Sequence, residues 1–545
     1  MAESQAVPSP GRGAGRRRVL AGAAPWVLAP AAGVLWAACF GEEPLLLAPW
    51  AALAPLFLLL GAARDRWTAF GLTWVHGVAF WLASIPWIAP TLETYGGLAP
   101  WLSVLLLAAL AGYLGLFTGV FGALGLPLWR AGGWRAVLAL PALWVSLEWL
   151  RGWLFSGFPW NLAGYAWTGV AGALPLAAWA GVWGVSFLAL ACNAAVALLV
   201  RRPGSGEASR EPGRRRRVRW AAGTLVAALF VLPVAGRWAV PLSALEAHGA
   251  GAPVRIVQPA IDNQVDFDPE VTRAGYERLL RLSREACDQP DALVVWPESA
   301  VWPFELERDP HVARDVARLV EERGCPILLN STHRVGGSGA GGDGTYFNSA
   351  YLVGRGGGTA RYDKRHLVPF GEYVPLAGAF SFIESLARSA GDYTAAEEVR
   401  LLQWGPNRLG TAICFEVTFP AEVAELARAG ATALVTITND AWYGDTAAPW
   451  QHFRAARWRA AETRRPLVRA AITGVSGLIA PDGSVRARLG VGETGILRGR
   501  VAGRTDLSPF ARAPWVVPGL SAALAAFALL WTGSRPGRRR TRVLR

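Results

Sequence analysis

The sequence predicts two architectures in one chain: a polytopic α-helical membrane domain with about eight transmembrane helices, and an α/β domain outside the bilayer. Three observations carry this reading. Long runs near both ends are almost free of charge, as spans of about 20 apolar residues must be. The segment from 252 to 505 has ordinary polarity and alternates strand-like with helix-like patterns. Arginines gather in every second loop between the apolar runs, the signature of a fixed membrane orientation.

Taken in order, residues 1–18 form a basic N-terminus ending in Arg16-Arg17-Arg18. Apolar runs follow at roughly 19–39, 44–61, 67–88, 98–128, 136–150, 171–200 and 220–234, which places seven helices within a transmembrane domain spanning 19–240. An eighth run covers 515–531, and 532–545 is a basic tail. Arg12 to Arg18, Arg64 and Arg66, Arg130 and Arg135, the run from 201 to 219 and the tail fall on one side of the membrane. Glu42, Glu43 and Glu93 fall on the other, with Arg151 and Arg237 as exceptions. The positive-inside rule then puts both termini in the cytoplasm and 252–505 on the outer face, which is the periplasm in a bacterium with two membranes.

Between the fifth and sixth runs lies an aromatic loop, from Glu148 to Asn161, in which Glu148 and Arg151 stand one helical turn apart. Ionisable groups at membrane depth suggest an interfacial or lipid-handling role, while mutual pairing and anchoring is the simpler reading. Most of the 27 tryptophans suit a position at the membrane interface.

The outer domain opens with a strand at Val254–Gln258, followed by a helix near 271–286 and a second strand, 292–296, that ends at Glu298. Strands at 326–330, 347–353, 408–414 and 433–438 and helices near 310–322 and 420–429 continue the series. Such alternation builds a sheet layered with helices, and in these folds sites form at strand ends.

The chain carries a net charge of +14, but its arginines cluster at the ends and in loops, which favours membrane orientation over nucleic-acid binding. Among 54 basic residues there is a single lysine, Lys364. Lysine is a compact point charge with a shiftable pKa, and arginine does not replace it where either property matters. Of five cysteines, Cys287, Cys325 and Cys414 lie in the outer domain, so at least one of these is unpaired. Cys414 ends an apolar run from Leu409 and is followed by Glu416. An isolated cysteine reads as a small core hydrophobe, but a strand end is also where a nucleophile would be aimed. A thiol nucleophile needs a base and a nearby cation, and Glu298 and Lys364 supply both types. His333 and His366 have no second ligand at zinc-like spacing, so neither a metal nor another cofactor is expected. The glycine-rich stretch from Gly336 to Gly344 lacks a lysine and a following helix, and reads as a flexible loop.

Three motifs then resemble the signatures of the nitrilase superfamily: Trp296-Pro297-Glu298, the run from Tyr362 through Lys364 and Glu372 to Pro375, and Cys414-Phe415-Glu416. With the apolar runs and the Gly157-Phe158-Pro159-Trp160 loop, the chain resembles the membrane-embedded apolipoprotein N-acyltransferases over nearly its full length. The resemblance implies an αββα sandwich for 252–505, with Glu298 as general base, Lys364 as oxyanion partner, Cys414 as nucleophile, and Glu372 and Glu416 as supporting carboxylates. Two positions depart from the family pattern: Phe415 stands where tyrosine is common, and Phe267 where a tryptophan is expected. The loop from Asn439 to Gly444, carrying Trp442 and Tyr443, is expected to rim the site. With Phe382 and Ile383, these rings are candidate lids.

The implied activity is transfer of an acyl chain from a phospholipid, through a Cys414 thioester, to the α-amine of a diacylglyceryl-modified cysteine of an apolipoprotein. The expected setting is the bacterial inner membrane, with the protein acting as a monomer. A membrane-anchored amidohydrolase acting on a small amide is the alternative. A transporter carrying an inactive enzyme-like domain would need more charges within the spans than Glu148, Arg151 and His76.

Overall fold

The apolar ends of the chain form helices, although not all of one kind. In the computed structural model the described residues are 12–43, 45–201, 223, 251–263, 267–336, 344–373 and 393–534. The seventh expected span apart from residue 223, most of the glycine-rich stretch (337–343), and Phe382 and Ile383 lie outside them. The N-terminal region contains α1 (Arg12–Ala37), α2 (Ala54–Ala62), α3 (Arg66–Ser84), α4 (Ile88–Thr94), α5 (Pro100–Ala131), α6 (Leu140–Arg151) and α7 (Ala173–Val200).

Among the described residues, four helices are long and apolar enough to cross a membrane: Ala23–Phe40, α5, α7 and the C-terminal Val516–Gly533. A fifth is possible if α3 and α4 count as one span bent by 53°. The bend falls where Pro86 denies a backbone donor. The run expected at 44–61 is instead a short apolar helical stretch, Ala48–Ala62, with prolines near the starts of both its segments. The run at 136–150 is a π turn, Arg135–Ala139, leading into the twelve-residue α6. α3 packs closely on α5 where Gly77 faces Gly115, with room for backbone but not for a Cβ.

The domain at 252–505 holds two six-stranded sheets. Its elements in order are β1 (Ala252–Gln258), α8 (Pro269–Ala286), β2 (Leu293–Val295), α9 (Pro310–Arg323), β3 (Ile327–Val335), β4 (Thr345–Val353), β5 (Thr359–Asp363), β6 (Leu401–Trp404), β7 (Asn407–Ile413), α10 (Pro420–Arg428), β8 (Ala433–Thr438), α11 (Ala447–Thr463), β9 (Leu467–Ala471), β10 (Ser476–Ile479), β11 (Val485–Leu489) and β12 (Gly495–Val501). A short α12 (Pro509–Arg512) leads to α13, the C-terminal helix Val516–Gly533. One sheet runs β12-β1-β2-β3-β4-β5 and the other β11-β10-β9-β8-β7-β6. Within them β1-β2-β3 and β7-β8-β9 are parallel. Period-two alternation divides each strand's side chains between two layers. Val254, Ile256, Val295 and Leu328 meet Leu409, Ile413, Val435 and Ile437 between the sheets. Val257, Val294 and Ile327 pack outward on Leu279 of α8 and Leu319 of α9. Ala412 and Leu434 pack outward on Leu426 of α10 and Ala456 of α11. The result is an αββα sandwich.

The second outer layer is shared. Phe419, Ala424 and Ala427 beside α10, and Ala455, Trp458 and Ala461 on α11, belong to the same apolar core as α1 to α7. Gln451 of α11 is the polar pin of this junction. Its carbonyl accepts from Trp160 Nε1 (2.7 Å) and Trp87 Nε1 (3.3 Å), and its amide donates to Ser84 O (2.8 Å) and Phe40 O (3.1 Å). All four of its hydrogen-bonding positions are filled. Farther along, Glu462 accepts from Val182 N (2.7 Å) beside Gly181, where φ of +66° breaks α7 and a Cβ would strike the Phe510 ring.

Candidate active site

Glu298, Lys364 and Cys414 come together from three chain segments. Glu298 follows β2, Lys364 follows β5, and Cys414 follows β7, with β2 and β5 in one sheet and β7 in the other. The three are 6 %, 1 % and 6 % exposed. Cys414 has φ of +51°, a left-handed conformation that turns the chain sharply from strand into a short 3₁₀ segment.

Lys364 Nζ donates to Glu372 Oε1 at 2.8 Å and lies 3.8 Å from Glu298 Oε1. Asn348 ties the two carboxylates together, its amide donating to Glu372 (2.7 Å) and Glu298 (3.0 Å). The other oxygen of Glu298 accepts from Asn439 N (2.9 Å), and that of Glu372 from Val368 N (2.8 Å). Burial pushes the Glu298 carboxyl above the usual range, against the opposing pull of Lys364. Burial alone would depress Lys364, but Glu372 and Glu298 outweigh it and hold the ammonium charged, with its pKa raised. The Cys414 thiol is pushed up by burial and by the charge of Glu298, with Lys364 pulling the other way. The resting site is therefore a protonated thiol beside a high-pKa carboxylate and a fixed cation, which suits proton transfer at the moment of attack.

Glu416 does a different job. One oxygen accepts from Arg365 N (2.7 Å), Tyr362 OH (2.9 Å) and His366 N (3.2 Å), and the other from Ile413 N (2.6 Å). It joins the segment after β5 to the end of β7, and burial raises its pKa to about 6.

Behind Cys414 stands a second polar cluster that sequence reading did not anticipate. His452 of α11 donates from Nε2 to the Cys414 carbonyl (2.9 Å), and its Nδ1 lies 3.0 Å from Asp440. Arg469 of β9 donates to the other Asp440 oxygen at 2.7 Å. Burial would raise Asp440, but Arg469 and His452 override it and hold the carboxyl at about 2. Burial and Arg469 push His452 down, yet acceptors face both its nitrogens, and only the imidazolium donates from both. Asp440 shared one sequence signal with Glu298 and Cys414, a polar residue just past an apolar strand. Its partners, 12 and 29 positions away, have no such mark.

The remaining expected residues divide. Phe415 packs among Trp160 (6.4 Å between centroids), Phe158 (6.5 Å) and Phe419 (5.0 Å), so the aromatic loop after α6 lies against the residue following the cysteine. Arg151 holds that loop through the carbonyls of Phe158 (2.8 Å) and Trp160 (3.0 Å), and Glu148 accepts from Ala163 N (2.7 Å). Tyr443 packs on Trp87, and Trp442 packs on Tyr95 at the surface. Phe267 is half exposed and its ring contact is with Trp302. Cys287 and Cys325 form a disulfide, leaving Cys414 as the free cysteine of the sandwich domain. His333 and His366 pair with Glu307 and Glu422.

A carbon-nitrogen hydrolase family model matches residues 254–505, the segment that folds as the sandwich. This domain thus has the fold of that enzyme superfamily. A second model, the apolipoprotein N-acyltransferase N-terminal domain, matches 32–195. The apolipoprotein N-acyltransferase of Geobacter metallireducens is 36% identical over 486 residues, covering 87% of this chain and 89% of that protein. The enzyme of the same name from Rhizobium rhizogenes is 35% identical over 538 residues, covering 93% and 96%. Among solved structures, an amidase from Nesterenkonia sp. AN1 aligns at 19% identity over 48% of this chain and 96% of its own, with a TM-score of 0.35. The chain belongs to the apolipoprotein N-acyltransferase family, and is an acyltransferase with a nitrilase-like domain and apolar helices suited to a membrane.

Proposed function

We propose that this enzyme moves an acyl chain from a phospholipid to the N-terminal α-amine of a diacylglyceryl-modified apolipoprotein, through a thioester on Cys414. The carrying observation is the buried Lys364 held between Glu298 and Glu372 beside a cysteine in a left-handed turn. Glu298 takes the thiol proton as sulfur attacks the ester carbonyl. The oxyanion that forms faces the Lys364 ammonium, in a site dry enough for that charge to count. Collapse breaks the ester C–O bond, and Glu298 returns the proton to the departing lysophospholipid oxygen. The acceptor amine then attacks the thioester, Glu298 accepts its proton, and collapse expels the sulfur, which is reprotonated as the amide leaves.

Glu372 fixes Lys364, Glu416 fixes the two loops against each other, and Tyr443 and Trp442 border the entrance. The arginine-rich loops support a bacterial inner-membrane protein with both termini cytoplasmic and the catalytic domain periplasmic. The test is to incubate purified protein with phospholipid micelles and analyse the Cys414 peptide by mass. An added acyl group that disappears on addition of a diacylglyceryl peptide, with the amide formed in equal amount, is the expected result. Absence of acyl-enzyme, or N-acylation by Cys414→Ser, would overturn the mechanism. Release of free acid or ammonia from a small amide, independent of lipid, would favour an amidohydrolase.

A further inference from the structure

Across α11 from the cysteine lies a feature the acyl-transfer reading does not use. Trp450, Phe453, Arg454 and Arg457 follow one another at helical spacing and form one face of α11. His452, on the opposite face, reaches Cys414. The Arg454 face lines a cavity of about 440 Å³, closed on one side by Arg486 and Arg488 of β11 and on the other by Glu42 and Glu43, just beyond the first apolar helix.

The cavity lining holds four guanidinium groups and two carboxylates, with Asp482 acting on Arg457 from nearby. Arg454 is 4 % exposed; its Nη2 donates to Gly41 O (2.6 Å), while Nη1 is buried with no partner among the described residues. Arg457 donates to Gly483 O (3.0 Å). Arg488 stacks over the Trp450 ring at 4.9 Å and comes only within 4.0 Å of Glu43. Burial and the neighbouring Arg457 push Arg454 down to about 10, with Glu43 pulling the other way. Next to Glu43, Leu45, Leu46 and Leu47 are 40 %, 62 % and 78 % exposed, an apolar strip at the outer end of the first span. Guanidinium forks match phosphate oxygens, and an apolar strip beside them matches acyl chains.

We propose that this cavity binds the phosphodiester of an anionic glycerophospholipid of the outer leaflet, with its chains along Leu45–Leu47, at a site separate from that of the acyl donor. The exposed Glu42 and Glu43 suit a headgroup with one negative charge and hydroxyl donors, as in phosphatidylglycerol. The inference rests on the membrane setting and not on the catalytic assignment.

The experiment uses full-length protein, delipidated in detergent, in a Cys414→Ser background so that no lipid is consumed. Native mass spectrometry counts dioleoyl phosphatidylglycerol retained by this protein, by an added Arg486→Glu/Arg488→Glu pair, by an added Arg454→Lys that keeps the buried charge, and by a control with Arg273→Glu/Arg281→Glu on α8. At about 1 kcal/mol per basic group near a lipid surface, the paired reversal weakens one retained lipid by about tenfold or more. Arg454→Lys weakens it less, and the control not at all. Equal retention by all four proteins would overturn the site. Displacement by glycerol 3-phosphate at the lipid's own concentration would overturn the membrane source, and equal retention of phosphatidylcholine would overturn the anionic preference.

Discussion

Two buried charge clusters flank Cys414, and they are built on opposite plans. In front, Glu298, Lys364 and Glu372 place two carboxylates on one ammonium, leaving surplus negative charge and a carboxyl with a raised pKa. Behind, Arg469, Asp440 and His452 bring two cationic groups to one carboxylate, whose pKa is depressed. The first has a proton-accepting position left over. The second spends its bonds on holding a backbone carbonyl. A site of this kind needs both, because transferring a proton requires an unsatisfied group, while aiming a nucleophile requires satisfied ones.

The comparison is broken most severely by Lys364→Arg. That change keeps a positive charge but puts a planar fork where Glu372 and Glu298 converge on a point. Loss of at least about a hundredfold in the rate of acyl-enzyme formation is expected, the cost of a missing oxyanion donor. Near-normal single-turnover rates would show that the lone lysine is incidental.

The rear cluster responds differently. His452→Leu should lower kcat by on the order of a hundredfold while changing KM little, because the thiol is present but misdirected. Asp440→Asn should cost stability, since Arg469 stays buried without a charged partner, by about 3–5 kcal/mol. The sign with pH follows from a carboxyl held at about 2 against an ordinary 3.8. Its stabilisation of about 2 kcal/mol is complete above the ordinary value and fades as pH falls towards 2. The gap between the two proteins in thermal unfolding should therefore narrow by about 2 kcal/mol in acid; a gap that does not change with pH would mean the carboxylate's charge is not a source of it.

A finer probe is Asn348→Leu. Asn348 donates to Glu298 and so lowers its pKa; removing that donor leaves burial less opposed. The acidic limb of the kcat/KM profile, which reports Glu298 as a base, should move to higher pH. Movement to lower pH would contradict the assignment. Smallest of all should be Phe415→Tyr. The ring sits among Phe158, Trp160 and Phe419, and an added hydroxyl needs a partner there, so acyl transfer should change by less than about tenfold.

These clusters also show what a sequence discloses and what it withholds. Glu298 and Cys414 sit where apolar strands stop, and Lys364 is unique in composition, so the three residues that the fold brings together were visible in one dimension. So were most of the strand and helix positions as far as β8, because period-two and helical spacings are local. His452 was hidden because its helix is buried nearly all round, between a sheet and a membrane domain, and shows no amphipathic stripe. Asn348 looks like any polar strand residue until β4 lies beside β3 and β5. In the membrane region, apolar composition marked the helices, but the interruptions at Pro49, Pro55 and Pro86 shortened or bent them, and hydropathy does not register a proline bend.

The shared apolar layer has a practical consequence for anyone wishing to study the chemistry in water. Cutting the chain before β1 and after β12 would leave Trp458, Phe419, Ala427 and Ala461 facing solvent, with Gln451 stripped of its four partners at once. Such a fragment would carry an open apolar face on α10 and α11, and self-association is its expected fate. Replacing those aromatic and small residues with charged ones is the route to a soluble catalytic unit, and it would also detach the sandwich from the apolar helices it is packed against.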